Sequence, residues 1–218
     1  MMKERYFSQA SIHQKARTML QSIKRRDLVF VPECSALLIL DMQKYFLSAS
    51  SHAFIPSAQA IIPLIAKLKE AYVAKGLPLI VTRHLNSPQN AGMMAKWWQD
   101  LIGEENPLSE IIDELDISSG MVLKKSQYDA FFETPLTDIL RGKGVTQVVI
   151  CGVMTHLCCE TTARSAFVRG FEVFFTVDGT ASYNERFHLA TLLNLSHGFA
   201  VPALVEELLT ACRGRDAN

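Results

Sequence analysis

The stretch VVICGVMTHLCCETTARSAF, residues 148–167, sets two cysteines side by side, Cys158 and Cys159, where a helix-forming segment begins. A thiol at a helix N-terminus has its thiolate favoured by the helix dipole and by free N–H groups. Used as a nucleophile, it needs a base for its proton, a nearby cation and donors for an oxyanion. Asp41 can be the base, and the Lys124-Lys125 pair offers an ammonium. Backbone N–H groups before the helix can hold the oxyanion. The two cysteines do not suit a mutual disulfide, because adjacent Cα atoms lie ~3.8 Å apart, below the usual lower bound of roughly 4.4 Å.

Taken singly, each residue has an ordinary explanation. A cysteine at a helix start is more often structural. An aspartate after a strand often caps a helix or forms a turn, and Asp178 in VDGTAS reads that way. A lysine pair is usually solvated. His84 alone is more often hydrogen-bonded than metal-bound, since metal sites need several ligands at workable spacing. Trp97 and Trp98 read as mixed core and surface, with an aromatic at a pocket rim able to pack on a substrate.

The elements that must position these residues follow from the apolar pattern. SALLILDM (35–42), LPLIVTRH (77–84), GMVLKK (120–125), TQVVICGV (146–153) and FEVFFTVDGT (171–180) are short apolar runs that predict buried strands. Helical periodicity predicts helices over 8–26, 57–76, 90–103, 134–144, 158–170 and 184–198, and FAVPALVEELLTAC predicts a short strand and a helix. Strand–helix alternation with nearly continuous apolar strands implies a three-layer α/β/α fold with a mostly parallel sheet. We read residues 1–30 as an N-terminal helical extension and 31–218 as a single domain. Ligands of such sheets bind beyond the carboxyl ends of the strands. Asp41, the Thr82-Arg83-His84 run, Lys124-Lys125 and the Thr155–Cys159 segment all fall there.

Composition excludes several classes. The chain has 218 residues with 22 basic and 22 acidic side chains, so no net charge recommends nucleic acid or an anionic membrane as partner. No apolar run approaches a membrane span, and no signal peptide opens the sequence. Five cysteines, an odd number with no C-x-x-C spacing, suggest reduced thiols in a cytoplasm. Neither G-x-G-x-x-G after the first strand nor G-x-x-x-x-G-K-[ST] occurs, which removes the main support for dinucleotide or P-loop chemistry.

The segments LLILDMQKYFL (37–47), VLKKSQYDAFFETPL (122–136) and ICGVMTHLCCETTARSAFVRGFEVFFTVDGTAS (150–182) resemble the isochorismatase-like hydrolase superfamily, over about residues 35 to 205. The resemblance implies a parallel α/β fold, a homo-oligomer and, for its cysteine branch, a triad of Asp41, Lys125 and Cys158. Lys125 matches the family lysine, three residues before the aromatic of Tyr128-Asp129-Ala130-Phe131. Strand alternation lets only one of the two lysines face the rim. The resemblance also implies a cis peptide at Val153–Met154, with the Met154 and Cys158 N–H groups as the oxyanion hole. Successive helical residues point ~100° apart, so Cys159 cannot share that role.

Within the superfamily the motifs pull two ways. DMQKYFL and THLCCETTA are similar to the isochorismatase branch, which cleaves a vinyl ether without a cysteine nucleophile. That branch typically has Gly where Cys158 stands, Gln at His84, and a substrate-binding Arg where this chain has Asn90-Ala91-Gly92. Nicotinamidases carry a metal-binding D-x-H…H pattern after strand two. TRHLNSPQNAG lacks both the Asp and the second His, which implies no metal and no cofactor and lowers nicotinamide in rank. The leading expectation is a metal-independent cysteine hydrolase of a small amide, imide or ureide, working through a thioester. The alternatives are vinyl-ether hydrolysis with Asp41 as acid, or a non-catalytic homologue. The pocket should draw on residues 84–98 and 154–183, with Arg83, His84, Trp97 and Tyr128 as candidate lining residues.

Overall fold

The computed structural model describes residues 2–214. Six parallel strands, β1 (Ser35–Leu40), β2 (Leu79–His84), β3 (Met121–Lys125), β4 (Gln147–Val153), β5 (Glu172–Ala181) and β6 (Val201–Ala203), form one sheet in the order β3-β2-β1-β4-β5-β6. The helices are α1 (Ile12–Gln21), α2 (Lys44–Leu47), α3 (Ala58–Ala74), α4 (Met94–Trp97), α5 (Leu136–Gly142), α6 (Glu160–Val168), α7 (Glu185–Gly198) and α8 (Val205–Arg213). From β1 the chain steps through α3 to β2, and from β4 it steps the opposite way through α6 to β5. Right-handed crossovers in opposite directions place their helices on opposite faces, and the strand order switches between β1 and β4. The crevice at that switch is where such a sheet accepts a ligand.

β1 is apolar from Ala36 to Leu40 because it is covered on both faces; all five side chains are fully buried, each fully buried Leu or Ile stabilising by roughly 1.5–3 kcal/mol. The central pair meets closely at Gly152, opposite Leu40. Its φ is +113°, and a Cβ there would lie 2.1 Å from the Leu40 carbonyl oxygen, so only glycine fits. Beyond it the β4–β5 register jumps: Ile150 pairs with Phe175, but Gly152 pairs with Thr180. The intervening bulge carries buried Asp178, whose Oδ1 accepts the Val205 N–H at 2.8 Å and so caps α8. Asp178 serves the fold as a cap, in keeping with its reading as a turn residue.

Two helix expectations need correction. Of the segment 90–103 only Met94–Trp97 is helical, one turn. Gly92 takes a left-handed φ of +52°, and the Asn86 N–H donates to Ile102 O at 2.8 Å, which draws the segment into a loop. The first helix spans Ile12–Gln21 rather than 8–26; the Ser22 hydroxyl bonds back to Met19 O at 2.6 Å where it ends. Residues before it join the common core: Tyr6 and Phe7 are buried, and the Glu4 N–H donates to Tyr183 O at 2.8 Å. No helix among the described residues is long and apolar enough to cross a membrane.

Candidate active site

Three strand ends deliver three reactive groups to the switch point. Asp41 follows β1 with a φ of +52°, Lys125 closes β3, and Cys158 lies in a π-helical turn, Thr155–Cys159, between β4 and α6. The register that sets His84 beside Lys125 comes from β2–β3 pairing. Lys125 Nζ stands 2.7 Å from Asp41 Oδ2, both side chains fully buried. It donates to Gln127 O at 2.9 Å, His84 Nδ1 at 3.3 Å and Cys158 Sγ at 3.5 Å. The ion pair with Asp41 is the shortest of these contacts, and Oδ2 has no other hydrogen-bond partner among the described residues. Asp41 Oδ1 is held by the Thr82 hydroxyl at 2.6 Å, and the Thr82 oxygen accepts the Asp41 N–H at 3.0 Å.

The electrostatics follow from burial and pairing. Burial pushes the Asp41 carboxyl up, but the Lys125 ammonium outweighs it and holds the group below the ordinary carboxylate range. Burial likewise opposes the Lys125 charge, and Asp41 reverses that, keeping Lys125 protonated. Burial and then the Asp41 charge push the Cys158 thiol up, against the pull of Lys125. The resting state is thus a neutral thiol beside a carboxylate–ammonium pair. His84 is depressed to about 4 by burial and by Lys125. Its neutral ring takes the Lys125 proton at Nδ1 and bonds Asn86 Oδ1 through Nε2 at 2.8 Å.

Asp41, His84 and Cys158 offer donor atoms within 4.8 Å of one another, a spacing a metal ion could use. The Lys125 ammonium already lies against all three, and both His84 nitrogens are engaged. These residues do not fit a metal.

The turn that carries Cys158 is braced from below. The Val153–Met154 peptide is cis. The Met154 carbonyl accepts from the Leu157 and Cys159 N–H groups at 3.1 and 3.2 Å. The Thr155 hydroxyl lies 3.1 Å from His188 Nδ1, which is 3.1 Å from the Tyr6 hydroxyl; that hydroxyl also accepts the Ser182 N–H at 2.8 Å. Tyr6 thereby reaches the turn through a single histidine. Cys159 is wholly buried in the core, whereas Cys158 borders a cavity of about 250 Å³.

His84 and Tyr128 line that cavity along with Cys158. Two other candidates do not. Arg83 alternates away from His84 and Thr82, and donates to Ser109 O at 3.0 Å, Ser109 Oγ at 2.7 Å and Glu110 at 2.7 Å. Trp97 is 73% exposed; its neighbour Trp98 lines the cavity and donates to the Tyr128 hydroxyl at 2.7 Å. The sequence reading missed Tyr45, His52 and Asp100 on the outer wall. It set Thr82 at the rim without giving it a role; strand alternation puts Thr82 on the same face of β2 as His84, where it holds Asp41. No periodic signal marks the other three. No lysine or arginine is among the lining residues.

The Isochorismatase domain model matches residues 35–207, and the chain belongs to that family of hydrolases. It is 42% identical over 171 residues to Nicotinamidase 3 of Arabidopsis thaliana, covering 76% of this chain and 82% of the relative. It is 30% identical over 188 residues to enterobactin synthase component B of Escherichia coli, covering 85% of this chain and 66% of the relative. Among solved structures, a cysteine hydrolase from Pseudomonas syringae pv. phaseolicola shares the fold at TM-score 0.80 and 24% identity, over 88% of this chain and 97% of that one. A zinc-complexed pyrazinamidase of Pyrococcus horikoshii superposes with TM-score 0.70 at 26% identity, over 78% of this chain and 99% of that one.

Proposed function

We propose that this protein is a metal-independent cysteine hydrolase of a small, uncharged or cationic amide, imide or ureide, with Asp41, Lys125 and Cys158 as its catalytic triad. The observation that carries this reading is a thiol at a cavity wall, beside a buried carboxylate–ammonium pair. Asp41 takes the Cys158 proton as sulfur attacks the carbonyl carbon. Lys125 balances the charge, and the Met154 and Cys158 N–H groups hold the oxyanion. The tetrahedral adduct collapses, the C–N bond breaks, and Asp41 returns the proton to the departing nitrogen. Water then cleaves the thioester, giving the acid and restoring the thiol.

The lining argues against the vinyl-ether alternative. A dianionic substrate needs cationic partners, usually arginine, and the cavity wall offers none. Nicotinamide heads the panel of test substrates because a 42% identical relative is named a nicotinamidase, although the metal-binding pattern is missing here. The test is ammonia release from nicotinamide and other small amides, imides and ureides by the wild type and Cys158→Ala, with isochorismate turnover followed in parallel. Release by the wild type, reduced roughly 10³-fold or more in the variant, is the expected result. Isochorismate turnover by both proteins without ammonia release would move the chemistry to Asp41 alone, and no turnover of any kind would favour a non-catalytic homologue.

A further inference from the structure

The outer wall of the cavity carries three polar side chains that the proposed chemistry does not use. Tyr45 stands in α2, His52 in the loop that follows, and Asp100 beyond α4. The Tyr45 hydroxyl donates to Asp100 Oδ1 at 2.6 Å. His52 Nε2 lies 3.2 Å from the same oxygen and 3.3 Å from the Tyr45 hydroxyl. The two rings also meet edge to face at 5.4 Å. One Asp100 oxygen thus accepts the Tyr45 hydroxyl, and His52, from a separate segment, lies against both groups. No described residue donates to Asp100 Oδ2.

Asp100 is the one carboxylate among the lining residues, and no lysine or arginine accompanies it. The rest of the wall is mostly apolar and aromatic, with Phe46, Met94, Leu101 and Ile102 beside the tyrosines. A lone fixed charge in a cleft with low-dielectric walls focuses its field into the cleft. Its unshared oxygen is also a ready acceptor for an N–H group. The side chain is 48% exposed, so water weakens the effect without abolishing it.

We infer that Asp100, held in place by Tyr45 and His52, is a charge filter at the mouth of the active site. It favours amides whose non-reacting end is cationic or presents an N–H donor, and disfavours those carrying a carboxylate. This rests on the reading that Cys158 reacts inside this cavity, and it narrows the substrate class of that site.

The test uses thiol labelling, so no substrate need be known. The full chain is treated separately with a trimethylammonium-bearing and a sulfonate-bearing methanethiosulfonate, and labelling rates at Cys158 and Cys34 are read by peptide mass. Cys34 is exposed and precedes β1, at the opposite end of the sheet, and serves as the internal reference. In the wild type the cation-to-anion rate ratio should be higher at Cys158 than at Cys34. Asp100→Asn should lower it at Cys158 by roughly three- to tenfold and leave it unchanged at Cys34. Asp100→Glu, which keeps the charge, should restore most of it. An equal ratio at Cys158 in the wild type and Asp100→Asn would overturn the filter. Labelling of Cys34 with none at Cys158 would instead overturn the cysteine reading beneath it.

Discussion

The floor and the outer wall of the cavity are made of different material. Cys158 lines the floor from the turn after a strand, and Asp41 and Lys125 lie behind it at the ends of paired parallel strands, each of the three at most 6% exposed. On the outer wall, Tyr45 belongs to a four-residue helix, and His52 and Asp100 to loops, with His52 and Asp100 about half exposed. Strand registers fix the floor groups to one another, and burial makes each charge depend on its partner. The wall groups depend on a few exposed contacts that can change without disturbing the sheet. The proposed chemistry thus falls where substitution is most costly, and the proposed selection where it costs little.

The comparison breaks most visibly on the floor. Lys125→Met removes the cation from a buried carboxylate, and an uncompensated buried charge typically costs about 3–5 kcal/mol. The variant should lose that much stability in urea unfolding, together with the proposed ammonia-releasing activity. A loss below about 1 kcal/mol would show that the floor is not locked by its charges.

A second test uses acid. His84 and His156 are depressed to about 4 and His188 to about 3, in each case chiefly by burial. Their unfolded values lie near 6.5, so the unfolded chain binds more protons between that pH and the folded values. Their contribution is complete above about pH 6.5 and declines as pH falls toward 4. Unfolding free energies from urea titrations should drop steadily over this window, by a few kcal/mol in all. Asp41, with its folded pKa lowered, stabilises above the ordinary carboxylate range and loses this contribution only at still lower pH. A flat profile from pH 6.5 to 4.5 would mean that the histidines under the floor are not held neutral.

The smallest effects belong to the wall. Trp98→Phe removes the donor to the Tyr128 hydroxyl, a net interaction of about 1 kcal/mol, and should raise KM roughly fivefold with kcat nearly unchanged. Trp97→Ala, at a side chain that is 73% exposed, should leave KM alone and shift stability by no more than about 0.5 kcal/mol. Equal effects of the two substitutions would erase the distinction between these neighbours.

The same division explains what the sequence disclosed. The apolar runs ending at Leu40 and Val153 are strands buried on both faces, and the edge strand ending at Lys125 buries only Leu123 and Lys125; in a parallel sheet the residues at their carboxyl ends gather at one rim. Periodicity misread 90–103, since Met93, Met94, Trp97 and Trp98 have helical spacing whether or not a helix forms. Only the turn Met94–Trp97 survives beyond left-handed Gly92. The sequence reading chose Trp97 for the pocket, where the structure sets Trp98. Arg83 misled for another reason: nearness to His84 along β2 counts for less than alternation, which sends its guanidinium to Ser109 and Glu110. His52 and Asp100 meet across 48 positions of chain through irregular segments, a pairing that no local pattern encodes.

The lone carboxylate of the outer wall also bears on how a catalytic cycle would end. Amide cleavage converts an uncharged group into an acid of the same sign as Asp100. The group that admits the substrate would then repel what remains of it, speeding product departure. Accumulated acid would compete poorly for the cavity, so turnover could persist at product concentrations that slow enzymes whose pockets bind carboxylates.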